Sequence, residues 1–139
     1  MSFGPPDAAS SDFTGNLSMN FQELRATLLS FVDARNWAQF HTPKNLTMAL
    51  AGEVGELVEI FQWLTEEQSV AIAQSDGDLT LVSDELADIL IYVVRIADVL
   101  GIDMDDAVTS KLRTNEAKYP VNLSKGNATK YSRRSEVQE

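Results

Sequence analysis

Apolar residues recur every three to four positions along most of the chain, which is the spacing of one face of an amphipathic α-helix. Asn20 and Glu23 form a capping-box pattern before the first such segment, and residues 65–68 repeat the pattern before a short one. Thr42 followed by Pro43 predicts another helix start, because proline suits the first helical position. The pattern predicts helices over about residues 21–35, 43–63, 65–73, 79–100 and 104–118.

The two longest predicted helices differ in how their apolar residues are arranged. In the helix at 43–63 the residues expected to face the core are Leu46, Leu50, Val54, Leu57, Val58 and Phe61. The helix at 79–100 is apolar on nearly all sides between Ile89 and Val94, which predicts the most buried element of the fold. Residues 74–78 have the composition of a turn before it, and Gly101 is suited to end it.

Both ends of the chain lack this periodicity. Residues 1–18 have the composition of a disordered leader, and residues 121–139 that of a mobile polar tail. Residues 19–120 are expected to form one helical domain. Since no strand pattern of any length occurs, the predicted fold is an all-α bundle of four main helices plus one short helix.

Composition excludes several classes of site and partner. With no cysteine, the chain has no disulfide, zinc–thiolate site or cysteine nucleophile, and its single histidine, His41, excludes a histidine-rich metal site. A net charge of −10 opposes binding to a nucleic-acid polymer or an anionic membrane. No apolar run is long enough to span a bilayer, and the N-terminal residues lack the basic start and apolar run that are typical of a signal peptide. We therefore expect a cytoplasmic protein.

Two pairs of acids lie on apolar helices, at a spacing that places each pair on one helix face. They are Glu53 with Glu56, and Glu85 with Asp88. A solvated acidic face is the ordinary alternative, but the neighbours of Glu85 and Asp88 are almost all apolar. If the two helices face each other, the acids converge and need a cation. Hard oxygen ligands suit Mg²⁺ or Mn²⁺, and the absence of Glu-x-x-His motifs disfavours redox iron.

The last predicted helix carries cationic and amide side chains on one face. Lys111, Asn115 and Lys118 are spaced to share that face, with Arg113 and Tyr119 close by. They are candidates for binding phosphate oxygens. The alternative is a cationic helix C-terminus that is favoured by the helix dipole.

Aromatic residues near the acids are candidates for contacting a nucleobase. Trp37 and His41 lie in a polar loop directly before the first acidic helix, where they are placed to stack on a base and to hydrogen-bond it. Trp63 and Tyr92 follow the two acidic pairs. A role in the apolar core is the alternative for all of them.

Taken together, these segments resemble the MazG-like family of all-α nucleoside triphosphate pyrophosphohydrolases, and most closely its dCTP pyrophosphatase branch. The matching segments are Trp37 to His41, Gly52 to Trp63, Asp84 to Tyr92, and Lys111 to Pro120. The motif Glu-x-x-Glu followed by Glu-x-x-Asp is complete, and the resemblance covers residues 21–120. Leu28 stands where animal members have a histidine near the base, which leaves the preferred base open.

The resemblance implies a bundle completed by self-association as a dimer or homotetramer. It also implies Mg²⁺-dependent hydrolysis, with Mn²⁺ as a substitute, of dCTP or a related modified deoxynucleotide to the monophosphate and pyrophosphate, which would sanitise the nucleotide pool. The implied metal ligands are Glu53, Glu56, Glu85 and Asp88. The implied phosphate contacts are Lys111, Asn115, Lys118 and Tyr119, and the implied base or sugar contacts are Trp37, His41, Trp63 and Tyr92.

No serine or cysteine nucleophile with a histidine base is recognisable, so the expected mechanism is direct attack of water on the α-phosphorus. Glu56 or the neighbouring Glu59 is expected to orient that water or accept its proton. The alternative function is a non-catalytic nucleotide-binding or helical protein-interaction module. Such a module would bind its partner without producing pyrophosphate.

Overall fold

The computed structural model describes residues 20–136, with side chains described through residue 133. The predicted leader at 1–18 lies outside the described residues. The helices are α1 (Phe21–Ala34), α2 (Pro43–Phe61), α3 (Glu66–Ala71), α4 (Asp76–Leu100), α5 (Met104–Lys118) and α6 (Val121–Ser124). Short 3-10 turns occupy Ala38–Phe40, Ile72–Gln74 and Tyr131–Glu136. The described residues contain no strand, which confirms the all-α prediction.

The predicted helix starts are fixed by local hydrogen bonds. The Asn20 side chain accepts from the backbone N–H of Glu23 at 2.9 Å, and the Glu23 carboxylate accepts from the backbone N–H of Asn20 at 3.4 Å. The Thr42 hydroxyl accepts from the backbone N–H of Asn45 at 3.2 Å. Each of these bonds satisfies an N–H group that the helix itself leaves unpaired.

The start of α4 differs from the prediction, because residues 76–78 belong to the helix and not to a turn. Asp76 and Asp78 lie in its first turn, where negative charge is favoured by the helix dipole. The Ser75 hydroxyl donates to Asp78 Oδ2 at 2.8 Å. The helix ends as predicted at Gly101, whose φ of 68° is a left-handed conformation that glycine adopts without strain.

The chain divides into two compact units after Ile102, within the domain predicted for residues 19–120. In the first unit α4 packs against both α1 and α2. Leu24, Leu28 and Val94 form a buried cluster, with Phe21 and Ile91 packed against it. The position where animal relatives were expected to have a histidine is thus occupied by a core leucine.

Helix α4 has more buried residues than any other described helix, as predicted: Tyr92, Val94, Arg95 and Ala97. The charge of the buried Arg95 is compensated, since its Nη1 donates to Asp98 Oδ2 at 2.5 Å. Asp98 also accepts a hydrogen bond from Nε of Arg25 on α1. The Arg95–Asp98 pair lies within α4, whereas the pair between Arg25 and Asp98 joins α1 to α4; because the Arg25 side chain is 51% exposed, that link is expected to add only a modest amount to stability.

An apolar surface remains exposed on the first unit. Val54 and Val58 of α2 were expected to face the core, but they are 42% and 53% exposed. On α4, Leu86 and Leu90 are exposed as well. The prediction for the two valines was wrong, because helical spacing alone does not show whether an apolar face meets the core or another surface. None of the described helices combines the length and the apolar character needed to span a membrane.

The second unit contains α5 and the segment that follows it. The α5 bounds match the prediction, and Asp103 Oδ1 accepts from the backbone N–H of Asp106 at 3.0 Å. In the polar tail, the Tyr131 ring lies edge-on to Tyr119 with centroids 5.8 Å apart. The Lys118 ammonium lies 5.1 Å from the centroid of the Tyr131 ring. The tail therefore includes ordered aromatic contacts that its composition did not indicate.

Candidate active site

One cavity of about 530 Å³ lies in the first unit, between the segment before α2, α2 itself and α4. One face of α2 lines it with residues spaced at three and four positions, including Asn45, Ala49, Gly52, Glu53 and Glu56. The loop before α2 contributes Trp37, Phe40 and His41, and α4 contributes Tyr92. The cavity is thus acidic along one helix and aromatic at its other walls.

Three carboxylates converge across α2 and α4. One carboxylate oxygen from each of Glu53, Glu56 and Glu85 lies within 4.8 Å of the others. Glu53 is only 5% exposed. Oε2 of Glu85 is buried, and no hydrogen-bond partner for it occurs among the described residues. Because a buried anionic oxygen without a partner is costly, this arrangement is suited to a bound cation.

The acids raise one another's pKa values. Burial, followed by the charges of Asp88, Glu56 and Glu85, raises the pKa of Glu53. Burial and then Glu56 and Asp88 raise the pKa of Glu85. The pKa of Asp88 is raised by burial and then by Asp84 and Glu56. The fourth predicted acid is therefore electrostatically part of the same group, although it is not one of the three that converge most closely.

The negative charge of the acids also affects the pKa of Tyr92. Its side chain is buried, and burial followed by the charges of Glu53 and Asp88 raises the pKa of Tyr92 to about 12. Its hydroxyl therefore stays protonated at neutral pH and keeps the ability to donate a hydrogen bond.

The aromatic wall of the cavity consists of Trp37, Phe40 and His41. The ring centroids of Trp37 and His41 lie 6.4 Å apart, with a 50° angle between the planes. His41 is buried, and its Nδ1 has no hydrogen-bond partner among the described residues. Burial and then the charge of Arg95 lower the pKa of His41. The imidazole ring of His41 is therefore neutral near pH 7.

A model of the MazG-like family matches residues 49–133. The chain belongs to this family. Among similar proteins, dCTP pyrophosphatase 1 of Bos taurus is 40% identical over 129 residues, which cover 93% of this chain and 76% of the bovine one. The Homo sapiens protein of the same name is 36% identical over 129 residues, with the same coverage of 93% and 76%.

A solved structure agrees with this assignment. The crystal structure of a pyrophosphatase from Archaeoglobus fulgidus matches the MazG-like chain with a TM-score of 0.65 and 38% sequence identity. The match covers 78% of this chain and 99% of the archaeal one. The similarity therefore extends over nearly the whole archaeal chain rather than over a short motif.

The remaining predicted site residues lie elsewhere in the MazG-like chain. Trp63 follows the end of α2 and is 86% exposed. Glu59 lies one helical turn after Glu56 and is exposed. The predicted phosphate contacts all belong to the second unit: Lys111, Asn115, Lys118 and Tyr119. Their proximity to the carboxylates stays a prediction.

Sequence reasoning missed several residues that line the cavity or act on it. Asn45 and Ala49 lie on the same face of α2 as Glu53 and Glu56, so the helical period offered a signal for them. Gly52 lines the cavity as well, and a Cβ atom at that position would meet no described atom within 4 Å. Arg95 gave no local signal, since its effect on His41 depends on how α4 packs.

Proposed function

We propose that this MazG-like chain hydrolyses a nucleoside triphosphate to the monophosphate and pyrophosphate, with dCTP or a related modified deoxynucleotide as substrate. The observation that carries the proposal is the convergence of Glu53, Glu56 and Glu85, of which the first two line a cavity that also has an aromatic wall. The similarity to dCTP pyrophosphatases over 93% of the chain supports the choice of substrate. Such an enzyme would sanitise the deoxynucleotide pool.

The acids are proposed to hold Mg²⁺, for which Mn²⁺ would substitute. Glu53, Glu56, Glu85 and Asp88 supply only hard oxygen ligands, and the unpartnered Oε2 of Glu85 together with the raised pKa values fits a site that needs positive charge. When bound, the divalent cation neutralises phosphate charge and lowers the pKa of a water molecule. Without it, the mutual repulsion of the carboxylates would also repel a triphosphate.

The aromatic end of the cavity is proposed to receive the base and sugar. Its volume of about 530 Å³ suits a small ligand. We assign stacking to Trp37 and hydrogen bonding to His41 and to the Tyr92 hydroxyl. Trp63 is assigned to the base as well, although in the single chain it is largely exposed.

The triphosphate is proposed to contact the cationic face of α5. Lys118 lies in the last turn of that helix and Lys111 two turns before it. With Asn115 and Tyr119, they would bind phosphate oxygens and stabilise charge on the departing pyrophosphate.

In the proposed reaction the oxygen of a water molecule attacks the α-phosphorus. The bond from the α-phosphorus to the oxygen that bridges it to the β-phosphorus breaks, and pyrophosphate leaves. A carboxylate orients the water and takes its proton, a role that we assign to Glu56 or Glu59. Glu56 lines the cavity, whereas Glu59 is one turn further along α2, so the two differ in how directly they reach the water.

Self-association as a dimer or tetramer is proposed as well. Val54, Val58, Leu86 and Leu90 leave apolar surface exposed on α2 and α4, and such surface is usually covered. Sedimentation equilibrium measures the assembly. A concentration-independent monomer would contradict this part of the proposal.

The function is tested by incubating the purified protein with each common nucleoside triphosphate and Mg²⁺, and measuring monophosphate and pyrophosphate. Glu85→Gln, which removes a carboxylate but keeps the side-chain shape, is the control for contaminating activity. Tight nucleotide binding without pyrophosphate release would favour the non-catalytic module instead.

A further inference from the structure

The ring of Trp37 is supported by a residue that does not line the cavity. Phe31 lies in the last turn of α1, and its ring meets Trp37 edge-on, with centroids 5.8 Å apart and a 74° angle between the planes. This geometry is favourable for aromatic pairs. Trp37 also lies against His41, and both of these residues line the cavity. Phe31 therefore packs against one member of a pair of cavity residues.

Phe31 is itself held in place by Arg35. The guanidinium carbon of Arg35 lies 3.6 Å from the centroid of the Phe31 ring, a cation–π contact. Nη1 of Arg35 also donates to the backbone carbonyl of Phe31 at 3.0 Å. The two residues are four positions apart on one helix face, so the contact needs no other element. Arg35 therefore restricts the ring that supports Trp37.

The backbone before Trp37 is fixed as well. Asn36 has a φ of 53°, a left-handed conformation in which few residues other than glycine and asparagine are found. The backbone N–H of Trp37 donates to the carbonyl of Val32 at 3.0 Å. The Gln39 side chain donates to the Asn36 carbonyl at 2.9 Å. With the backbone held by α1, the orientation of the Trp37 ring depends on its side-chain rotamer and hence on Phe31.

We propose that Phe31, held by Arg35, is a positioning residue that keeps the Trp37 ring in the orientation that accepts the base. The proposal rests on the base-binding role of Trp37 given under Proposed function. A ring that is already oriented loses less side-chain entropy when the ligand binds. Loss of the support should therefore weaken substrate binding and leave the chemical step intact.

The kinetic test is Phe31→Leu, which keeps an apolar side chain but removes the ring. We expect KM for dCTP to rise roughly three- to tenfold, which corresponds to the loss of one aromatic contact, and kcat to stay within about twofold. Phe31→Tyr keeps the ring and is expected to retain the wild-type KM. Phe21→Leu is the matched control, because Phe21 lies on the same helix but packs against the core cluster.

A second readout does not depend on turnover. The chain has two tryptophans, so in a Trp63→Phe background the emission comes from Trp37 alone. Phe31→Leu is expected to increase acrylamide quenching of Trp37 in the nucleotide-free protein, and Phe31→Tyr is not. Thermal unfolding of every variant shows whether it is folded, and Arg35→Met provides a second, surface-located way to loosen Phe31.

The two readouts separate this proposal from the proposed function. Unchanged quenching of Trp37 in both Phe31→Leu and Arg35→Met would overturn the positioning role, and so would an equal rise in KM in Phe21→Leu. If the wild-type protein hydrolyses no nucleotide, the proposed function has failed, and the quenching result still decides whether Phe31 holds the Trp37 ring.

Discussion

Replacing Glu53 by glutamine should make the metal-free protein more stable and at the same time abolish its activity. Glu53 is 5% exposed, and its carboxylate lies within 4.8 Å of those of Glu56 and Glu85. At that separation two like charges repel by about 1 kcal/mol in water and about 3.5 kcal/mol at an effective dielectric constant of 20. Because Glu56 is exposed to solvent, we expect the lower part of this range.

A gain of about 1–2 kcal/mol in the free energy of unfolding corresponds to a rise in Tm of roughly 3–10 °C for a chain of this size. The gain should depend on pH. Since the pKa of Glu53 is raised in the folded chain, the wild-type protein is destabilised above that pKa and recovers as the pH falls through it. The difference between Glu53→Gln and wild type should therefore be large at pH 8 and small near pH 4.5.

Mg²⁺ should reverse the order of stability. A ligand at 100 times its Kd stabilises the native state by about 2.7 kcal/mol, so the wild-type Tm should rise in a Mg²⁺ titration while that of Glu53→Gln stays nearly flat. Differential scanning calorimetry with and without Mg²⁺ measures both effects. Glu116→Gln, which removes an exposed acid of α5, is the control for net charge. Equal Mg²⁺ responses in Glu53→Gln and wild type would refute the metal role of Glu53.

Three further outcomes are expected. Protons should compete with the metal, because the pKa values of Glu53, Glu85 and Asp88 are raised. The Mg²⁺ affinity measured by titration calorimetry should therefore increase from about pH 5 to pH 8. An affinity that stays constant over this range would argue against these residues as ligands. Trp37→Ala should raise KM for dCTP roughly 5- to 100-fold, which is the usual cost of a lost stacking contact, and should leave the Mg²⁺-induced shift in Tm unchanged. An unchanged KM in steady-state kinetics would exclude stacking on Trp37. Lys118→Ala should weaken inhibition by pyrophosphate more than inhibition by dCMP, and the reverse order would place Lys118 away from the phosphates.

Local features of the fold were predictable from sequence. The capping pairs at Asn20 and Thr42 act within a few residues, so the bounds of α1 and the start of α2 followed from them. The start of α4 did not, because Asp76, Gly77 and Asp78 are typical of a turn as well as of an acidic first helical turn. There the preference of the helix N-terminus for negative charge prevailed.

The grouping of the acids was predictable where the residues share a helix. Glu53 and Glu56 lie one turn apart, so their spacing placed them on one face, whereas the facing of α2 and α4 was only a condition of the prediction and is shown by the packing of the two helices. Contacts between distant elements had no such signal. The support of Trp37 by Phe31 and the effect of Arg95 on His41 depend on how α1 and α4 pack, which residue spacing does not encode. The exposure of Val54 shows the same limit, since periodicity identifies an apolar face but not its partner.

The most direct test of the proposed activity follows dCTP hydrolysis in ¹⁸O-labelled water with Mg²⁺ by ³¹P NMR. The account predicts dCMP and pyrophosphate as the products, with ¹⁸O on the phosphate of dCMP, because water attacks the α-phosphorus. Production of dCDP and inorganic phosphate, or ¹⁸O in the released pyrophosphate, would contradict it.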